Sequence, residues 1–492
     1  MVEAALSLWP EEAIEAMHGA SLALLARVGA RVESPAAREL LLAAGCTAGP
    51  QGRVLMPAGA VEQAVAANVR RYTLTARDPQ RSLDLDGDPG QTYVHNMGGA
   101  GDVSDARSGA CRRATVRDQV RFARVMHHLT NQHEITPLVQ PQDVPDLLEP
   151  LYSYLILARE SDKTLGGPGI SHAFQGTYLR EMAQVVTGAD GHDGRYPVDL
   201  AFSPVSPLTL GREVTDALID AVRRGGVVIE ILPCPAVATT SPGAISAALA
   251  QQNAEVLAGL VLAQVVSPGT PVYYGPRLSA VDPRTGVLAS GAPETGVASV
   301  AATLLARRYG MACDCYGPAT DSKVVDAQFG YEHAFNALVG LAARPRLLSG
   351  IGDLQTGVAS CLEALVVDDE VLNYAFYALS QRPWDEDALD IEAMVEGVLG
   401  GHGFLGTKHT RRYIRSEFVV PQVSYRGGLE DWVASGRSGV VDLAHEKVEE
   451  LLAREPVGLP DHMLTELCRL IDQAARHVGL GEWPDPRRVL AG

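Results

Sequence analysis

The chain has 492 residues, 46% of them hydrophobic, which is enough to bury a large core. Its formal charge of -18 excludes an electrostatic grip on nucleic acid or on an anionic lipid surface, because a polyanion gains nothing from approaching an acidic one. Seven cysteines, an odd number scattered along the chain, point to reduced thiols and not to a disulfide framework, and a cytoplasmic setting is expected.

The first twenty residues lack the basic start and unbroken apolar run of a signal peptide, since Glu3, Glu11, Glu12 and Glu15 interrupt them. Residues 11 to 70 read as helices, with Ile14, Met17, Leu22, Leu25 and Val28 on one stripe and Gly29 as the stop, and residues 1–88 are expected to form an N-terminal helical cap. From about residue 91 a short β-rich run, a Gly/Pro-rich loop and a long helical pattern recur. The runs are 92–96, 135–140, 163–167, 198–202, 227–232, 271–274, 311–316 and 346–350. Helical segments follow them, clearest at 116–129, 211–223, 244–266, 297–309 and 324–341. The stretch 244–266 is the most apolar, but Gln251, Gln252, Asn253, Glu255 and Gln264 make a bilayer costly, so it reads as a core helix. Eight β/α units predict an α/β fold, a (β/α)8 TIM barrel over residues 89–383, with a C-terminal helical extension, 384–492, packed on it. A doubly wound open sheet is the rival. It would require a phosphate-binding turn, and Gly98-Gly99-Ala100-Gly101 lacks that spacing.

Barrel enzymes carry their chemistry at the carboxyl ends of the strands. The polar residues there are His95 and Asn96 after the first strand, Gln140 and Gln142 after the second, Ser203 and Ser206 after the fourth, and Glu230 in the fifth. Tyr273 and Tyr274 end the sixth; being adjacent they face opposite ways, so one at most meets a ligand. The seventh offers Asp314, Tyr316, Thr320, Asp321 and Lys323, and the eighth Gly350, Gly352 and Asp353. Bland readings stand beside these: Glu230 paired with a cation inside the barrel, His95 and Asn96 bonding a loop, and Asp321 serving as a helix N-cap. Cys313 and Cys315 project to one face and invite zinc, but no further ligand motif accompanies them, and no metal is expected. No serine-hydrolase elbow, Walker loop or dinucleotide fingerprint is present.

Several segments together resemble the trimethylamine methyltransferase family, which moves a methyl group between an amine and the cobalt of a corrinoid. They are Met17-His18 through Val28-Gly29, Gly109 to Thr115 leading into Asp118, Thr240-Ser241-Pro242-Gly243 before Gln252-Asn253-Ala254-Glu255, Gly291-Ala292-Pro293-Glu294, Asp321-Ser322-Lys323 with Tyr331-Glu332, and Gly401 to Thr410. Members that demethylate trimethylamine carry pyrrolysine near the seventh strand, whereas Tyr316-Gly317-Pro318-Ala319-Thr320 is standard here, so the chain looks like the branch without it, typified by glycine betaine methyltransferases. The resemblance implies a quaternary amine as methyl donor and a separate corrinoid-binding protein that brings cobalamin or a related corrinoid to the barrel mouth. A quaternary nitrogen already carries its charge and leaves as a neutral amine, so alignment and exclusion of water would suffice.

A pocket for such a cation calls for aromatic faces and a carboxylate. Tyr93, Phe202, Tyr274 and Tyr316 are candidate faces, Glu230 and Asp314 candidate counter-charges, with Asp321 beside them as a catalytic candidate. His95, Asn96 or His402 would take a substrate carboxylate. The loops carrying Gly317, Thr320, Gly350, Gly352 and Asp353, with 402–409, are expected to meet the corrinoid and its carrier, and the chain is expected to be a homo-oligomer. Two other readings stay open: a barrel lyase or hydrolase using Glu230 or Asp314 as general base, and a non-catalytic subunit that binds methylated amines.

Overall fold

In the computed structural model the described residues are 8–490 apart from Pro168, Pro383 and His402. Eight short parallel strands form the centre: β1 Tyr93–Asn96, β2 Glu134–Ile135, β3 Thr164–Leu165, β4 Asp199–Phe202, β5 Val228–Ile231, β6 Val272–Tyr274, β7 Asp314–Tyr316 and β8 Leu347–Ile351. Six of the eight neighbouring contacts are parallel strand pairings: β1 with β2, β2 with β3, β4 with β5, β5 with β6, β7 with β8, and β8 with β1. Two seams are thinner than the rest. β3 meets β4 through the Gly167 amide donating to Asp199 O at 3.2 Å, and β6 meets the β7 segment through Tyr274 N to Ala312 O at 2.9 Å. With these the ring closes, the (β/α)8 barrel that the eight-fold rhythm predicts, and the open sheet is set aside.

The N-terminal region differs from the all-helical expectation. Helices α1 Glu11–Arg27, α2 Pro35–Ala43 and α3 Ala58–Ala67 are separated by short strands Ala30–Val32 and Arg53–Leu55, which pair antiparallel. Gly29 turns the chain at φ 66°, and a Cβ there would lie 2.1 Å from Val54 O, so only glycine fits. A hairpin, Arg71–Leu74 with Leu83–Asp86, then carries Tyr72, Leu74, Leu83 and Leu85 into the amino end of the barrel against Val228, Tyr273, Ala312 and Leu347. This apolar plug closes the bottom, so polar groups above it open only toward the carboxyl ends.

Around the ring run α4 Val116–His128, α5 Glu149–Glu160, α6 Ala173–Thr187, α7 Arg212–Arg224, α8 Ile245–Val266, α9 Pro293–Arg308, α10 Ala327–Ala342 and α11 Leu362–Leu379. α4 starts on a capping box in which Thr115 and Asp118 exchange hydrogen bonds, and Arg112 adds an ion pair to Asp118 at 2.6 Å. α8 is long and apolar enough to cross a membrane by length and composition, yet most of it is buried inside the protein, lying between the barrel and the N-terminal helices α1 and α3. That double burial explains why it is apolar all round. Beyond α11, helices Val440–Leu452 and Asp461–His477 pack back on α4 and α11 and on α5 and α6 respectively.

Candidate active site

At the carboxyl ends of the strands lies a cavity of about 440 Å3, lined among others by His95, Glu230, Arg277, Tyr316 and Ser349. Inward positions alternate with outward ones along each strand, which puts His95, Glu134, Asp199, Glu230 and Asp314 in one polar layer above the apolar plug. Asp314 is the hub: His95 Nε2 lies 2.9 Å from its Oδ1, Arg277 Nη1 donates to its backbone oxygen at 3.0 Å, and Arg277 Nη2 donates to its Oδ2. The same Nη2 is 3.5 Å from Glu230 Oε1. The Arg277 guanidinium also lies 5.4 Å from the Tyr316 ring centre, leaving that ring as an aromatic wall of the mouth.

The electrostatics divide the carboxyls. Burial opposes ionisation of Asp314, but Arg277 and His95 outweigh it and hold Asp314 below the usual carboxylate range. Burial raises Glu230 well above its ordinary value; Arg277 pulls the other way without offsetting it, and Asp314 and Asp199 add to the rise. Glu134 is pushed up by burial and by the charges of Asp199, Asp314 and Glu230, and burial also raises Asp199 in spite of hydrogen bonds from Tyr273 Oη and the Gly167 amide. The layer thus holds four carboxyl groups against Arg277 and one histidine. Both Glu134 oxygens, Glu230 Oε1 and His95 Nδ1 are buried without a hydrogen-bond partner among the described residues. Groups of this kind have unspent capacity for a cation or for water.

The predicted residues divide by the face of their strand. His95, Glu230, Asp314 and Tyr316 come together as described. Asn96 also borders the mouth, but its amide is committed: it donates to Thr136 O at 3.0 Å and accepts from Gln132 Nε2 at 2.8 Å and Thr136 N at 3.1 Å, stapling β1 to β2. Phe202 and Tyr274, expected as aromatic faces, point outward into the helical layer; Tyr274 Oη donates to Asn253 Oδ1 of α8 at 3.1 Å, and Phe202 packs against residues of α7 and α8. Tyr273 is the inward one of its pair. Tyr93 lies at the amino end of β1, edge-on to His133 with ring centres 5.6 Å apart, beside a separate cavity of about 490 Å3 at the bottom of the barrel. Asp321 does not cap the following helix; Asp326 does, and Asp321 Oδ1 accepts from Thr356 Oγ1 at 2.9 Å.

Thr320 and Asp353 are internal to the loops that follow β7 and β8: the Asp353 carboxylate accepts from Thr320 N at 3.1 Å and Gly357 N at 2.6 Å. Gly317, Gly350 and Gly352 are packing positions, where a Cβ would meet Leu348, Pro318 O at 2.1 Å, and Leu365 with Leu138 respectively. His402 lies outside the described residues. Cys313 and Cys315 face α9 and α10, with the Cys313 thiol 3.7 Å from Thr303 Oγ1. Among the described residues no group of three or more His, Cys, Asp or Glu is placed to hold a metal ion.

Sequence reasoning missed Glu134, Asp199 and Arg277. Asp199 sits at an inward register position of a strand already recognised, two residues before Ala201. Glu134 is the residue before the point where the second strand was taken to begin. Arg277 follows β6 by three residues, where the loops that build the mouth begin.

Comparisons with known proteins agree over nearly the whole length. The model of the family described as trimethylamine methyltransferase matches residues 3–479. A glycine betaine methyltransferase of Desulfitobacterium hafniense (strain Y51) is 29% identical over 475 residues, covering 95% of this chain and 97% of its own. The trimethylamine methyltransferase MttB of Methanosarcina barkeri is 27% identical over 485 residues, 95% of each chain. A solved structure, the hydroxylamine complex of MtmB, superposes with a TM-score of 0.50 at 14% identity, covering 91% of this chain and 93% of that one, and shows the shared fold.

Proposed function

From the premise that this chain belongs to the trimethylamine methyltransferase family and is a methyltransferase, we propose that it moves a methyl group between a betaine-like quaternary amine held in the barrel mouth and the cobalt of a corrinoid carried by a separate protein. The observation that carries this reading is the charge balance of the mouth. Glu230 lines the cavity with Tyr316 as an aromatic wall, and Glu134, Asp199 and Asp314 belong to the same buried layer against one arginine and one histidine, an arrangement that suits a cation stripped of water. A quaternary nitrogen beside Glu230 would lower that carboxyl's pKa, so that the raised group ionises on binding and becomes the counter-charge.

The cavity of about 440 Å3 suits a small amine and is too small to enclose a corrinoid ring, which would lie across the rim. When present, the corrinoid supplies the cobalt that takes or gives the methyl group. The chain's own residues bind and orient the amine: Tyr316 and Glu230 at the nitrogen, and Gln140 and Ser203 at the rim for a carboxylate. Asp314, locked between Arg277 and His95, positions that arginine. The same lock argues against Asp314 as a general base.

The experiment is titration calorimetry of quaternary amines, betaines and tetraalkylammonium salts alike, in buffers of different ionisation enthalpy. Binding is expected with release of up to one proton near neutral pH, and Glu230→Gln or Tyr316→Ala is expected to weaken it by about tenfold, or about 1.4 kcal/mol. Failure of every quaternary amine to bind would sink the reading.

A further inference from the structure

More than half of the large hydrophobic side chains exposed among the described residues fall between residues 384 and 433. Trp384, Leu399 and Leu405 are 81%, 80% and 83% exposed. In the helix Ile391–Leu399 only Gly397 is buried, against the Phe404 ring, although five of its nine residues are Ile, Met, Val or Leu. A helix of this length does not hold alone in water, and most helical stability comes from packing an apolar face. Yet this helix and the short ones at Lys408–Tyr413 and Leu429–Ala434 pack closely on no other element.

The segment is moored at one end. Tyr377 Oη donates to Glu417 O at 2.7 Å, Glu370 accepts from Gln422 N at 2.7 Å and Ser424 Oγ at 2.6 Å, and Val423 is buried. Before that mooring, the side-chain bonds of the described residues in 384–416 stay within the segment, as in Arg412 to Asp387 at 3.0 Å and His409 Nε2 to Ala388 O at 2.9 Å.

We propose that residues 384–416 form an interface with a second copy of this chain, arm against arm about a two-fold axis. Three observations choose that occupant. First, the exposed apolar side chains amount to on the order of 1,000 Å2 per copy, against the ~800 Å2 per partner of a standard stable interface and the few hundred Å2 that a monomer tolerates. Second, the cover must be permanent, because the arm lacks other packing; a corrinoid carrier that comes and goes would leave it bare between turnovers, and exchanging partners meet through more polar surfaces. Third, the arm is split in charge: apart from Asp387 and Arg412, which pair with each other within one arm, Asp385, Glu386, Asp390, Glu392 and Glu396 lie in its first half, and Lys408, Arg411 and Arg415 in its second. Two-fold symmetry sets the acidic half of one arm against the basic half of the other.

Sedimentation of the full chain at micromolar concentration, with far-UV circular dichroism as the check on folding, tests this. The wild type is expected to sediment as a dimer or a multiple of one. The double variant Leu399→Glu with Leu405→Glu, which alters exposed positions alone, is expected to dissociate with at least a 100-fold weaker constant and unchanged helical content. Val205→Glu, exposed but outside the arm, is the control and should stay assembled. A monomeric wild type, or a double variant that stays assembled, overturns the proposal. A monomer whose arm gains protection from proteolysis only when a corrinoid-carrying protein is added would assign the surface to that partner instead.

Discussion

Asp353 shows how a single buried carboxyl organises the loops beside the mouth. Burial, only partly opposed by His333 and by backbone hydrogen bonds from Thr320 and Gly357, pushes it up to about 7. In the unfolded chain the same carboxyl titrates near 4. Between those values the native state holds a proton that the unfolded state does not, so this group's contribution to stability rises as pH falls through 7. From pH 8 to pH 6 the gain is about 1.4 kcal/mol. His127 and His133, lowered by burial to about 3 and about 4, act in the opposite sense, since only the unfolded chain protonates them there. The measurable quantity is therefore a difference: thermal unfolding of Asp353→Asn at the two pH values should lack the wild type's share of that gain, and equal slopes would refute the assignment. At this scale the sequence was half legible. The residue types at strand ends were readable, and His95, Glu230, Asp314 and Tyr316 do meet. Phe202 and Tyr274 were misplaced because register in a strand of three or four residues turns on a single position, and one step moves a side chain from the mouth to the helices.

The elements were more legible than the residues. All eight strands overlap the β-rich runs, the second by Ile135 alone, because a buried parallel strand followed by an apolar helix repeats at a spacing that few other folds produce. The strands between the first helices were not foreseen; they are two or three residues long and depend on pairing partners distant in sequence, such as Arg31 with Thr209. α8 illustrates an element whose polar residues serve assembly. Asn253 donates to Ser21 Oγ and Tyr309 Oη, each at 2.8 Å, and accepts from Tyr274 Oη, joining α8 to α1, α9 and β6 in one buried node. Asn253→Leu leaves Tyr274 Oη without a partner, while Ser21 Oγ keeps Met17 O and Ala250 O and Tyr309 Oη keeps His18 Nδ1, and is expected to cost about 2 kcal/mol of stability, read as a lowered midpoint in urea with an unchanged slope. A change below about 0.5 kcal/mol would mean that the node is dispensable.

For the molecule as a whole, the N-terminal helices and the last two long helices share the barrel's buried core, since Leu25, Val448 and Leu467 belong to the same apolar cluster as Ile229. Unfolding should therefore be one cooperative event, with tryptophan fluorescence and far-UV circular dichroism giving coincident transitions; separate midpoints would show that the terminal helices form an independent unit. The ring itself is not equally strong around its circumference. Where β3 meets β4 the Gly167 amide is shared between Asp199 O and Asp199 Oδ1 at 3.1 Å, so a group of the polar layer doubles as the clasp of the thinnest seam. Anything that changes the proton on Asp199 tightens or loosens that clasp. The barrel would accordingly breathe at this point first, and deuterium uptake at Gly167, fast in the empty protein, should slow when a cation fills the mouth.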